Sequence, residues 1–196
     1  MNARNRALSA VICAIASAAL MAQFLVVQGR APGLGPTLWG LAGYFTILTN
    51  SLVALAFGAQ ALGRRLSARE AATLTISIVM VGLVYHLLLY RPLVPWSLRW
   101  WADLGLHRIM PLLTAFWWWR HAPRTLVLRD LPYCLIWPLA YCGYALLRGA
   151  FSGFYPYPFL HVARLGWETV AVNIGGLALA FTGLAAVLWL IGRLSR

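Results

Sequence analysis

Hydroxyl, amide, imidazole and carboxylate side chains recur inside the apolar stretches of this chain, at spacings that group them. Thr46, Thr49 and Asn50 stand at i, i+3 and i+4 in YFTILTNSLVAL and share one helical face. Asp103 and His107 are at i and i+4, so the carboxylate can hydrogen-bond the imidazole and set its tautomer. Arg108 follows directly, and His86 lies in a separate apolar run. Trp137, Tyr141, Tyr144 and Arg148 form another stripe, and Glu168 is placed to neutralise Arg148 or Arg164. A hydroxyl near an imidazole and a carboxylate is the material of proton transfer and nucleophilic attack. Each residue also has a plain structural use. Threonines in apolar helices back-bond to their own carbonyls or pack against a neighbour. A lone His makes a structural hydrogen bond, Tyr residues form an interface belt, and Arg108 and Arg148 contact lipid phosphate. Two histidines on separate helices can ligate haem, but no further ligand pattern accompanies His86 and His107. No cofactor and no metal is implied.

The elements that position these groups are long and apolar. The chain has 196 residues, of which 62% are hydrophobic and 10% charged, with mean hydropathy +0.75. A soluble domain carries about 25% charged residues. A helix needs roughly 20 apolar residues to cross a ~30 Å hydrocarbon core, so six spans with short loops use nearly the whole chain. The expectation is an all-α integral membrane bundle of six transmembrane helices, a single domain over 1–196. The spans read as 7–27, 37–62, 71–90, 100–119, 126–147 and 167–191. The first resembles a signal peptide, with Ala16-Ser17-Ala18 as a cleavage motif. Its apolar run continues past that point, which reads as a retained signal anchor. A Gly/Pro-rich link at 29–36 follows it, and the Pro-broken stretch RPLVPWSLRWW precedes span four. The alternation that marks outer-membrane strands is absent.

The net charge of +12 comes with sixteen arginines and no lysine, placed at the ends of apolar runs. A nucleic-acid surface would cluster them on one element, so that partner class is excluded. Cys13, Cys134 and Cys142 are widely spaced within apolar runs and read as packing residues. Ten arginines (4, 6, 64, 65, 69, 120, 124, 129, 193 and 196) fall on the side of both termini and six (30, 91, 99, 108, 148 and 164) fall opposite. The excess predicts cytoplasmic termini in a cell inner membrane. Counting about 1.5 Å per residue from the outer ends puts Thr46 about 13 Å deep, His107 roughly 10 Å and His86 about 7 Å. With Tyr141 and Glu168, these groups converge on one half of the bilayer.

Three segments, YFTILTN, LHRIMPLL and GFYPYPFL, resemble in order and spacing the androgen-induced-gene family of six-span membrane proteins, whose bacterial members are called "Pr-six-Pr" membrane proteins. The likeness extends over most of the chain. It implies a hydrolase of lipid esters, such as fatty acid esters of hydroxy fatty acids, working through one intramembrane Thr and one His. Carried over by motif, these are Thr46, with Thr49 as the rival, and His107. Asp103 stands where animal members carry Asn and a second His. In that reading His107 accepts the threonine proton, Asp103 orients its ring, and Asn50, Tyr141 or Arg108 stabilises the oxyanion. The expected partners are membrane lipids and a lipophilic ester. The competing reading is a non-catalytic lipid-binding or transport protein, with the polar layer holding a headgroup. A transporter often carries an inverted repeat with paired broken helices, and none is evident between the two halves of the chain.

Overall fold

The structure, a computed structural model, describes residues 3–30 and 33–195. Arg196, counted above among the arginines beside the termini, lies outside them, as do Ala31 and Pro32 of the 29–36 link. Every regular element among the described residues is helical. The chain divides into two compact units, Met1–Pro123 and Arg124–Arg196.

In the first unit, α1 (Ala3–Gln28) is an apolar run with no internal Gly or Pro. Its buried residues Ser9, Ile12, Ala16 and Ala19 recur every three or four positions and so form one face. The helix packs on α3 (Phe45–Ala61), closely enough that a Cβ at Gly58 would stand 3.2 Å from Cys13 Sγ. The span read over 37–62 is not one straight helix. It consists of α2 (Leu34–Leu41) and α3, bent by 95°. The chain leaves helical geometry at Tyr44, which is extended, and the Tyr44 carbonyl accepts the first bonds of α3 from Ile47 and Leu48, both at 3.1 Å. Thr46 is therefore in the first turn of α3, and a depth counted along one straight helix does not apply to it.

A capping box opens α4 (Ala68–Val84). Ser67 Oγ accepts from the Glu70 amide at 3.2 Å, Glu70 Oε2 accepts from the Ser67 amide at 2.9 Å, and Arg64 pairs with the same carboxylate. The helix continues into a π turn, Tyr85–Leu89, and Pro92 follows its end. Ser97 then caps α5 (Leu98–Leu104), accepting from the Trp100 amide at 3.2 Å. A second π turn, Gly105–Ile109, joins α5 to α6 (Met110–His121). Pro111 explains it. Without an N–H it cannot donate to the His107 carbonyl, and the Met110 amide reaches back five residues to Gly105.

The segment 98–121 packs against α1 and α4, and its π turn touches α3. Two glycines admit it. A Cβ at Gly105 would meet Ala19 Cβ at 2.6 Å, and one at Gly82 would meet the His107 carbonyl oxygen and Pro111 Cγ at 3.1 Å.

In the second unit, Asp130 accepts from the Val127 amide at 3.1 Å and closes a short 3-10 turn, Leu128–Asp130, ahead of α7 (Tyr133–Ser152). The last helix, α8 (Val162–Leu194), is kinked at Gly166, where φ is 78° and ψ 160°. Apolar residues such as Val172 and Leu179 are about three-quarters exposed on α8, an outward apolar surface that suits lipid.

Four helical segments are long and apolar enough to cross a membrane: Ala3–Gln28, Ala68–Leu89, Leu128–Ser152 and Val162–Leu194. The bent pair α2–α3 makes a fifth if it is one span. The segment 98–121 is not among them. It carries Arg99, Asp103, His107, Arg108 and Arg120, whose polarity outweighs its apolar residues.

The close approach at Gly105 yields a stability prediction. Gly105→Ala is expected to lower stability by about 1–3 kcal/mol through overpacking against α1, and Ala19→Gly in the same chain to restore part of it. Thermal denaturation of the single and double variants in detergent checks both effects.

Candidate active site

Thr46 and His107 come from different helices and meet. Thr46 Oγ1 lies 3.4 Å from His107 Nε2, while His107 Nδ1 lies 3.1 Å from Asp103 Oδ1. A carboxylate only accepts, so Nδ1 carries the proton and the Nε2 lone pair of the neutral ring faces the hydroxyl. The His107 and Asp103 side chains are about 15% and 14% exposed, respectively.

Asn50 ties the two helices together. Its Nδ2 donates to the Thr46 carbonyl at 2.9 Å within α3 and to the Leu106 carbonyl at 3.5 Å in the π turn. That amide nitrogen is thus spent on carbonyls, and Asn50 acts as a bridge between the turn bearing Thr46 and the turn bearing His107. Thr49 is fully buried on the same helix.

Tyr85 completes the surround of His107 and was not singled out from sequence. Its ring stacks on the imidazole with centroids 3.8 Å apart and planes 13° from parallel. The imidazole is held at Nδ1 by Asp103, on its face by Tyr85, and at Nε2 by Thr46. The available signal was a hydroxyl-bearing aromatic next to His86 in an apolar run. Sequence alone does not show that a π turn aims it across at another helix.

His86 does a different job. Its Nδ1–H donates to the Gly82 carbonyl at 2.8 Å, and its Nε2 accepts from Arg108 Nε at 3.2 Å. Both ring nitrogens are committed, which leaves none to ligate a haem. Arg108 also lies over the Tyr90 ring at 5.8 Å. Among the described residues, no group of three or more His, Cys, Asp or Glu side chains is arranged to hold a metal ion. All three cysteines are free.

Tyr141 belongs to the second unit. It is buried, with its ring 6.2 Å from those of Tyr144 and Tyr157. Beside it Arg148 Nη1 donates to the Tyr144 hydroxyl at 3.1 Å, and the guanidinium lies 5.5 Å from the Phe154 ring centre. Glu168 is exposed and forms no ion pair among the described residues, so the pairing with Arg148 or Arg164 read from sequence is not made.

What the first unit presents is a hydroxyl, an imidazole with Nε2 toward that hydroxyl, and a carboxylate behind it. This order can pass a proton from Thr46 to His107 while Asp103 stabilises the imidazolium that forms. Comparison with known proteins finds no matching family model, no matching curated protein and no matching solved structure.

The bridge role of Asn50 is open to a direct check. Asn50→Ala is expected to cost about 1–2 kcal/mol of stability through the lost bonds to two buried carbonyls. Denaturation of the purified variant measures it, and hydrogen exchange should rise first at the 105–109 turn.

Proposed function

We propose that this protein is an intramembrane threonine-type hydrolase of lipid esters, with Thr46 as nucleophile, His107 as general base and then general acid, and Asp103 as the residue that orients and balances His107. The observation that carries the reading is the Thr46–His107–Asp103 relay, with separations of 3.4 and 3.1 Å. A separation of 3.4 Å is long for a working hydrogen bond, but such contacts tighten when substrate is bound. Thr46 is favoured over Thr49 by that approach.

In the proposed cycle Thr46 Oγ1 attacks the ester carbonyl while His107 Nε2 takes its proton. His107 then returns the proton to the departing alkoxide, leaving Thr46 acylated. Water, deprotonated by His107, attacks the acyl group and releases the carboxylic acid, and the proton on His107 restores the Thr46 hydroxyl. The positive end of α3 lies at Thr46 and favours the negative charge that develops there. The resemblance to the androgen-induced-gene family points to the same two residues and to esters of fatty acids with hydroxy fatty acids.

The membrane arrangement that goes with this reading has six spans in one domain, both termini cytoplasmic, in a cell inner membrane. The bent pair α2–α3 counts as one span and 98–121 as the sixth. At about 1.5 Å per residue the latter is about 36 Å long, enough to cross. Its polarity is tolerated because its helix packs against α1 and α4, and polar residues in spans face protein or wet cavities.

Two measurements test this. A fluorophosphonate probe should label wild-type protein and fail on Thr46→Ala and His107→Ala, while Thr49→Ala still reacts and Asp103→Asn reacts at least about a hundredfold more slowly. Labelling that survives in well-folded Thr46→Ala sinks the assignment. Lack of labelling in folded wild type, together with lipid that co-purifies unchanged, favours a non-catalytic lipid-binding protein. For topology, a fluorescent-protein fusion at the C-terminus should glow, and alkaline phosphatase fused after Arg30 should be active. The reverse pattern inverts the orientation.

A further inference from the structure

Arg108 stands apart from the relay although it follows His107 in the chain. Its Nε donates to His86 Nε2 at 3.2 Å and its guanidinium lies over the Tyr90 ring at 5.8 Å. The lone pair of a neutral histidine and the face of an aromatic ring fix the direction of the guanidinium without neutralising it. Among the described residues its two Nη groups donate to no acceptor. The Asp103 carboxylate is engaged by His107 Nδ1 at 3.1 Å. The other acid of this unit, Glu70, caps the far end of α4.

The chain of contacts leads back to the relay. The His107 ring stacks on Tyr85 at 3.8 Å, and Tyr85 meets His86 edge-on at 5.2 Å. His86 in turn holds Arg108. A guanidinium presents a planar fork matched to a carboxylate or phosphate, and an uncompensated cation in an apolar medium is costly. A histidine committed to aiming such a fork is an arrangement for receiving an anion.

We propose that Arg108 is the anchor for an oxyanion carried by an amphiphilic ligand, a carboxylate or phosphate at the polar end of an alkyl chain, with His86 as its positioning residue. This rests on the hydrolase reading for its meaning, because the anchored group would hold an ester of the same molecule against Thr46 and His107. As a binding site it stands separately.

Binding of dodecanoate, dodecyl phosphate and dodecanol to the full chain in neutral detergent tests it, measured by native mass spectrometry in wild type and Thr46→Ala. At least one of the two anions should bind about tenfold or more tightly than dodecanol, as expected for charge-assisted hydrogen bonds; which one does so names the anion. Arg108→Gln should bring the anions to the level of dodecanol, Arg108→Lys should keep part of the preference, and His86→Ala should fall between. Arg91→Gln, which removes a cation that is not part of the site, should leave the preference intact. Equal binding of all three ligands by wild type overturns the proposal, and so does a preference that survives in folded Arg108→Gln or is lost equally in Arg91→Gln. The Thr46→Ala arm separates the two ideas. Anion preference there, with no probe labelling of wild type, keeps the anchor and removes the hydrolase. Labelling without anion preference does the reverse.

Discussion

Pro111 has no amide proton to give, and much of the first unit follows from that. The α-helical bond from residue 111 to the His107 carbonyl cannot form, and the chain answers with a wider turn closed by the Met110 amide on Gly105. That turn carries His107 at its centre. It also leaves the His107 backbone facing α4 at the one position, Gly82, where no side chain obstructs it. The glycine that begins the turn lies equally close to α1. Three helices are thus drawn around one irregular turn, and the side chains that converge on His107 come from α3, from the end of α4 and from α5.

How much of this could be read beforehand divides along physical lines. Relations within one helix were legible because helical periodicity is fixed. Asp103 and His107, four residues apart, do make their hydrogen bond at 3.1 Å. Relations that depend on backbone irregularity were not. Nothing in YFTILTN announces an extended residue at Tyr44, since the segment has no glycine or proline, yet the chain turns there by 95°. The partnership of His86 with Arg108 was equally hidden. Both were noted as polar residues, but which side chain faces which depends on the two π turns. Tyr85 escaped notice for a related reason, because a tyrosine near the end of an apolar helix ordinarily reads as an interface residue.

The chemistry of the site also lowers the hydropathy of the element that bears it. Hydropathy identifies a span by what it would cost to place its surface in lipid. Polar groups of the segment 98–121 are engaged within it and beyond it: Asp103 on His107, and Arg108 on His86 of the turn after α4. A measure that treats each residue as lipid-facing takes no account of such contacts.

The two π turns have a consequence for how the sequence can change. A π turn holds one more residue than the α-turn that would cover the same rise. Tyr85–His86 and His107–Arg108 are consecutive pairs, one on each turn, and they interlock as pairs: Tyr85 on His107, His86 on Arg108. Deleting a single residue from either turn would restore regular helix and move the side chains of the turn off their present positions. Both contacts would part together, with every participating residue type still present in the chain. The arrangement is therefore guarded by spacing more than by identity, and an insertion or deletion here would reach further than most replacements.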